Sequence, residues 1–254
     1  MTAFFVLSTG RCGTQWLAET LQCWSTNFVV QHEPIHLGYR PDLNTPQNPL
    51  AANAEQIQNH LTYIKRQLQQ GKTYIETGFP CWRHLHWFKQ QLGEVKIIYI
   101  HREPVKTVQS LLKLNAFIPP FLPHLPVKNL FLPGAEQELL YQHQSLWPQL
   151  SPAEKNLWYW AEVQWQAWLY QQQWPVDDWL SLSFNQLFTA DARQQLAQFL
   201  HCETDVSWPV EQPLDQFGGA SVQSLPDFPI LIKIPQIRDI AIRLGYQFPN
   251  STRF

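Results

Sequence analysis

Short apolar runs alternate along this chain with longer stretches whose apolar residues recur at helical spacing. The pattern predicts strands at Ala3–Leu7, Asn27–Gln31, Thr73–Glu76, Val95–Ile100 and Trp179–Leu182. The clearest is Val95-Lys96-Ile97-Ile98-Tyr99-Ile100, a β-branched run suited to a sheet centre. Helices are predicted at about Gln15–Trp24, Ala52–Gln70, Cys81–Leu92, Val105–Lys113, Pro152–Gln172, Ala192–Leu200 and Ile234–Leu244. Pro104 falls in a first helical turn, where its missing N–H removes no helical bond. Strand–helix alternation of this kind gives a mainly parallel sheet, here of five strands, with helices on both faces: a three-layer α/β/α fold.

Two regions break the alternation. Residues from about 115 to 134 hold a run of prolines with Phe117, Phe121, His124 and Phe131, and residues from about 203 to 229 contain Gly218-Gly219. Loops this long are expected to be lids or acceptor-facing walls. On the helix after Ser151, Trp158, Ala161, Trp165 and Trp168 share one face, and packing against the sheet is its expected use.

A length of 254 residues suits one α/β domain spanning 1–254. Only 15% of residues are charged and the formal net charge is −2, so no basic field argues for nucleic acid, and any anion must be held by a few placed cations. No apolar run has the length of a membrane span, and none before Gly10 has that of a signal peptide. Cys12, Cys23, Cys81 and Cys202 form no CxxC pair and no zinc-ligand spacing. Free thiols and a cytoplasmic location are the expectation. His84 and His86 with Cys81 lack a fourth ligand, so no metal is expected.

The candidate chemistry begins at the end of the first strand. Gly10-Arg11-Cys12-Gly13-Thr14-Gln15 is a glycine-bearing turn leading into a helix. Backbone N–H groups of a first helical turn converge on an anion, Arg11 adds a forked cation, and Thr14 adds a hydroxyl. A nucleoside-triphosphate loop would need a Lys after Gly13, which is missing. A cysteine-phosphatase loop would need an Arg where Ala18 stands. Cys12, at a helix start, is expected to have a depressed pKa.

A second cation follows the strand at 95–100. His101-Arg102-Glu103-Pro104 opens a helix, and Ser110 lies two turns along it. Arg102 then sits at the C-terminal edge of the sheet, where open α/β sheets bind ligands.

Together the two motifs resemble those of the sulfotransferases that use 3′-phosphoadenosine 5′-phosphosulfate (PAPS). Gly10-Arg11-Cys12-Gly13-Thr14 is similar to the family's 5′-phosphosulfate loop, a strand followed by (Lys/Arg)-x-Gly-(Thr/Ser). Arg102-Glu103-Pro104 with Ser110 is similar to its 3′-phosphate motif. A softer likeness is Phe184-Asn185-Gln186-Leu187 after the last strand, with Asn185 where Glu is usual. Cys12 and Gln15 also depart from the commoner residues. The resemblance implies a P-loop-NTPase-like fold and transfer of a sulfuryl group to a hydroxyl or amine. It implies PAPS as co-substrate, 3′-phosphoadenosine 5′-phosphate (PAP) as product, and no required metal. Gly10 to Gln15, Arg102 and Ser110 would bind the nucleotide. Glu33, after the second strand, matches the base of several family members, with His32 as runner-up and Arg11 on the leaving group.

The acceptor is not legible: a small molecule, carbohydrate, lipid or peptide all fit, and the oligomeric state is open. Glu76 at the third strand's end is expected either to contact the acceptor or order the site, or to serve a structural role. Two other functions stay open, a non-catalytic nucleotide-binding relative and a P-loop small-molecule kinase.

Overall fold

The computed structural model describes residues 2–35, 54–119, 127, 129–202 and 229–248. Five strands, β1 (Ala3–Leu7), β2 (Phe28–His32), β3 (Thr73–Thr77), β4 (Val95–His101) and β5 (Trp179–Ser183), form one sheet in the order β2-β3-β1-β4-β5. Every pairing is parallel, with Phe5 opposite Glu76 and Ile97, and His32 opposite Thr77. All five residues of β1 are buried, as its two strand neighbours and purely apolar sequence require.

The described residues also form helices α1 (Thr14–Gln22), α2 (Ala54–Gln69), α3 (Leu85–Leu92), α4 (Pro104–Leu112), α5 (Pro152–Gln171), α6 (Ala190–Phe199), α7 (Pro229–Lys233) and α8 (Pro235–Arg243), with 3₁₀ segments at Tyr141–Gln149, Val176–Asp178 and Gln186–Phe188. The described residues fall into two compact units, one from 2–35, 54–102 and 167–202, the other from 103–119, 127, 129–166 and 229–248.

In the first unit, alternate sheet residues build a layer on each face. Phe4, Val6, Ile75, Ile98, Ile100 and Leu182 meet Trp16, Leu17 and Leu21 of α1 and Leu196 and Leu200 near α6. On the other face Phe5 packs on Phe88 of α3, ring centroids 4.7 Å apart, and Tyr74 lies edge-on to His60 of α2. This is the three-layer α/β/α arrangement expected. Because all strands run the same way, the segments after Leu7, His32, Thr77, His101 and Ser183 leave one edge of the sheet.

The second unit has an aromatic core. Trp147 receives Phe117, Phe131 and Trp158 edge-on at 5.4–5.6 Å. Trp158 and Ala161 of the tryptophan-bearing face are buried; Trp165 is half-buried, its indole donating to the Gln137 carbonyl. Glu103 caps α4 by accepting from the N–H groups of Val105 and Lys106 at 3.0 Å, with Pro104 at the first position. Of the two long regions expected to be lids, 120–126, 128 and 203–228 lie outside the described residues.

Candidate active site

The glycine turn after β1 is wound left-handed at three of four residues: Gly10 has φ 75°, Arg11 φ 58° and Gly13 φ 76°. Gly13 is the N-cap of α1, and a glycine there brings no side-chain acceptor to the helix start. The Leu17 N–H closes the first turn on the Gly13 carbonyl at 2.9 Å, so the N–H groups of Thr14 and Gln15 precede the first intrahelical bond. The turn is pinned from inside: Ser8 Oγ accepts from the Gly10 N–H at 3.1 Å, and Thr9 Oγ1 donates to the Gly10 carbonyl at 3.0 Å.

Cys12 corrects an expectation. Its thiol is buried and donates back to the Gly10 carbonyl at 3.2 Å. Burial pushes its pKa up, against the opposing pull of a Thr9 hydrogen bond and of Arg102 and Arg11. A helix N-terminus does not depress the pKa of a thiol turned into the core. Cys12 can offer a ligand only its backbone N–H. Gln15 likewise presents its main chain, since its amide lies along α1 and donates to Glu19 at 3.3 Å.

Arg102 comes to this turn from the end of β4. One guanidinium nitrogen donates to the Arg11 carbonyl at 2.6 Å, and the guanidinium lies 4.2 Å over the ring of Phe184. Phe184 is anchored in turn, its N–H donating to the His101 carbonyl at 2.7 Å. Two arginines far apart in sequence therefore share one edge of the sheet, and Arg102 bonds the backbone of the loop that carries Arg11. Ser110 lies on α4, half-buried, in the second unit.

Glu33 directly follows β2 and also has a left-handed backbone, φ 46°. Its N–H donates to the Thr77 carbonyl at 3.0 Å, and its side chain is 19% exposed. His32 Nδ1 donates to the same carbonyl at 2.8 Å, which leaves Nε2 facing Glu33 Oε1 at 3.8 Å.

Two consecutive residues after β3 tie Glu33 to the glycine turn. A Cβ on Gly78 would stand 2.7 Å from Glu33 Cγ, and a Cβ on Gly10 would stand 2.8 Å from the Phe79 ring. The site thus packs Glu33 on Gly78 and Phe79 on Gly10, without room for a side-chain carbon at either glycine. Among these residues, Gly78, Phe79 and Thr77 went unseen as site components in the sequence. The strand-end pair Thr77-Gly78 was the available signal.

Glu76 is buried and faces His60 and Tyr74 inside the first unit, so it does not open toward an acceptor. Among the described residues no group of three His, Cys, Asp or Glu side chains is placed to hold a metal ion. His86 bonds the Gln173 amide, and His84 is buried. No helix of the described residues is long and apolar enough to cross a membrane.

No family model matches the chain, and no curated protein does. Solved structures do. A sulfotransferase domain from the curacin biosynthetic pathway aligns over 97% of this chain and 98% of its own at 13% identity and a TM-score of 0.56. A sulfotransferase domain from the olefin synthase of Synechococcus PCC 7002 aligns over 98% and 96% at 14% identity and a TM-score of 0.53. A sulfotransferase from Alicyclobacillus acidocaldarius aligns over 96% of each chain at 14% identity and a TM-score of 0.51. The five-stranded parallel sheet, with its glycine turn after β1, therefore has the sulfotransferase fold.

Proposed function

We propose that the protein is a PAPS-dependent sulfotransferase acting on a hydroxyl or amine of a small molecule, carbohydrate, lipid or peptide. One observation carries the reading: Arg102 bonds the backbone of the turn bearing Arg11, while Glu33 packs on Gly78 and the next residue, Phe79, packs on Gly10 of that turn. Two cations and one carboxylate at the C-terminal edge of a parallel sheet suit transfer of an anionic group to a nucleophile that must lose a proton.

Arg11 and the N–H groups of residues 13–15 hold the 5′-phosphosulfate. Arg102 takes the 3′-phosphate, with Ser110 as its partner in that role. The acceptor oxygen or nitrogen forms a bond to sulfur as the bond from sulfur to the bridging phosphate oxygen breaks. Arg11 and the helix start stabilise the charge that grows on that oxygen, and Glu33 takes the acceptor's proton. His32, its Nδ1 committed to Thr77, supports Glu33 or takes the proton in its place. The free thiols of Cys12, Cys23, Cys81 and Cys202 favour a reducing compartment such as the cytoplasm.

A thermal-shift comparison tests the nucleotide. PAP is expected to raise Tm and ATP with magnesium to leave it unchanged; the reverse result transfers the reading to a kinase. Radiolabelled PAPS, incubated with fractionated extracts, identifies the acceptor. PAP binding without any labelled product would leave a binding protein. With an acceptor in hand, Arg11→Ala is expected to lower kcat/KM at least about 100-fold, and Glu33→Gln to lower kcat at unchanged PAP affinity.

A further inference from the structure

Beside the proposed base lies a buried polar network that the proposed chemistry does not use. Glu76 is 1% exposed, and His60 and Tyr74 are buried with it. His60 Nε2 donates to Glu76 Oε2 at 2.8 Å, and the Tyr74 hydroxyl donates to the same oxygen at 2.9 Å. The Tyr74 oxygen also lies 3.1 Å from the Gln31 side-chain amide. A phenol has one proton, and a carboxylate accepts it more strongly than an amide does. Gln31 Oε1 is thus the second, weaker acceptor facing the single Tyr74 proton, at 3.1 Å. The bonds run from His60 on α2, through Glu76 and Tyr74 on β3, to Gln31 on β2.

The register gives this chain of bonds its meaning. Gln31 pairs with Glu76, and the next rung pairs His32 with Thr77. On that second rung the Thr77 carbonyl accepts from both the Glu33 N–H and His32 Nδ1. Among the described residues β2 is an edge strand, half-buried along most of its length. An edge strand that ends in a left-handed glutamate opens readily unless it is tied from more than one direction. The backbone ladder ties it from β3, and the side-chain network ties it from the core.

We infer that Glu76, acting through Tyr74 and Gln31, is a positioning residue that fixes the end of β2 and so the conformation of Glu33. His60 holds Glu76 from the helix side. Burial keeps Glu76 from any acceptor, so its effect on turnover passes through Glu33; that part of the inference rests on Glu33 being the base. A buried carboxylate is costly unless fully bonded, and here its bonds set a geometry.

Amide hydrogen exchange of the full chain, read by NMR, tests this without any acceptor. In Tyr74→Phe, which keeps the ring, and in Glu76→Gln, the Glu33 amide is expected to exchange about tenfold faster while β1 and β4 amides keep wild-type rates. Calorimetric affinity for PAP stays within about twofold, and transfer from PAPS to the acceptor used for wild type falls about tenfold in kcat at unchanged KM for PAPS. Unchanged exchange at Glu33, or equal acceleration in every strand, overturns the inference. If Glu76→Gln does not fold, Tyr74→Phe and Gln31→Leu decide it. If wild type neither binds PAP nor transfers sulfate, the proposed function fails, and the exchange data still decide the positioning role.

Discussion

Arg11 and Glu33 hold backbone conformations that L-residues avoid, φ 58° and φ 46°. Each costs on the order of 1–3 kcal/mol and persists because its surroundings over-determine it. For Arg11 the surroundings are the Ser8 and Thr9 hydroxyls on Gly10 and the Arg102 guanidinium on its own carbonyl. For Glu33 they are the Thr77 carbonyl and the bare Cα of Gly78. Gly78→Ala should therefore act on Glu33. The added carbon would meet Glu33 Cγ at 2.7 Å and its N at 3.2 Å. We expect a loss of about 1–3 kcal/mol in denaturant unfolding. Sulfuryl transfer should fall further than stability explains, while PAP affinity, measured calorimetrically, stays near wild type.

At the scale of elements, the segment after β5 braces Arg102 and the glycine turn. The ring of Phe184 lies under Arg102, and Leu187 and Phe184 close on Gly13. Removing that ring in Phe184→Ala should weaken PAP binding about 2- to 30-fold in a calorimetric titration, the range of an exposed to a desolvated cation–π contact. Phe184→Tyr should restore it. The strands were legible because each is a short apolar run, and their ends agree with the sequence pattern to within a residue or two. The helix expected from Cys81 begins instead at Leu85. Cys81, Leu85 and Phe88 are buried at helical spacing, but residues 79–84 form tight turns, with Trp82 bonded to Phe79 and His84 to Cys81. Such turns share the three-to-four-residue spacing of a helix and lack its ladder. The two cation motifs were legible because their residues lie close in sequence. Contacts such as His60 with Glu76 or Phe79 with Gly10 were not, because a polar residue on a helix and a lone aromatic give no sign of their distant partners.

For the molecule as a whole, a buried and a half-buried histidine set an acid limit. Burial lowers the pKa of His84 from 6.5 to about 3, with Arg83 adding to the effect, and that of His101 from 6.5 to about 4. Both are neutral when folded, while the unfolded chain protonates them below about pH 6.5. Their contribution is thus level above that pH and is lost as pH falls toward the folded values. Melting temperatures should drop steadily from pH 6.5 to pH 4, and His84→Gln should flatten part of that slope, as scanning calorimetry would record. The sheet order has a different kind of consequence. The glycine turn grows from β1, a wholly buried strand with a neighbour on each side, whereas Glu33 follows β2, which among the described residues lies at the rim. Under mutation the two halves of the site are unequal: change near the turn disturbs the core, while change along β2 is absorbed locally. Sequence drift at the rim would therefore alter the surroundings of Glu33 and leave the glycine turn fixed by the core.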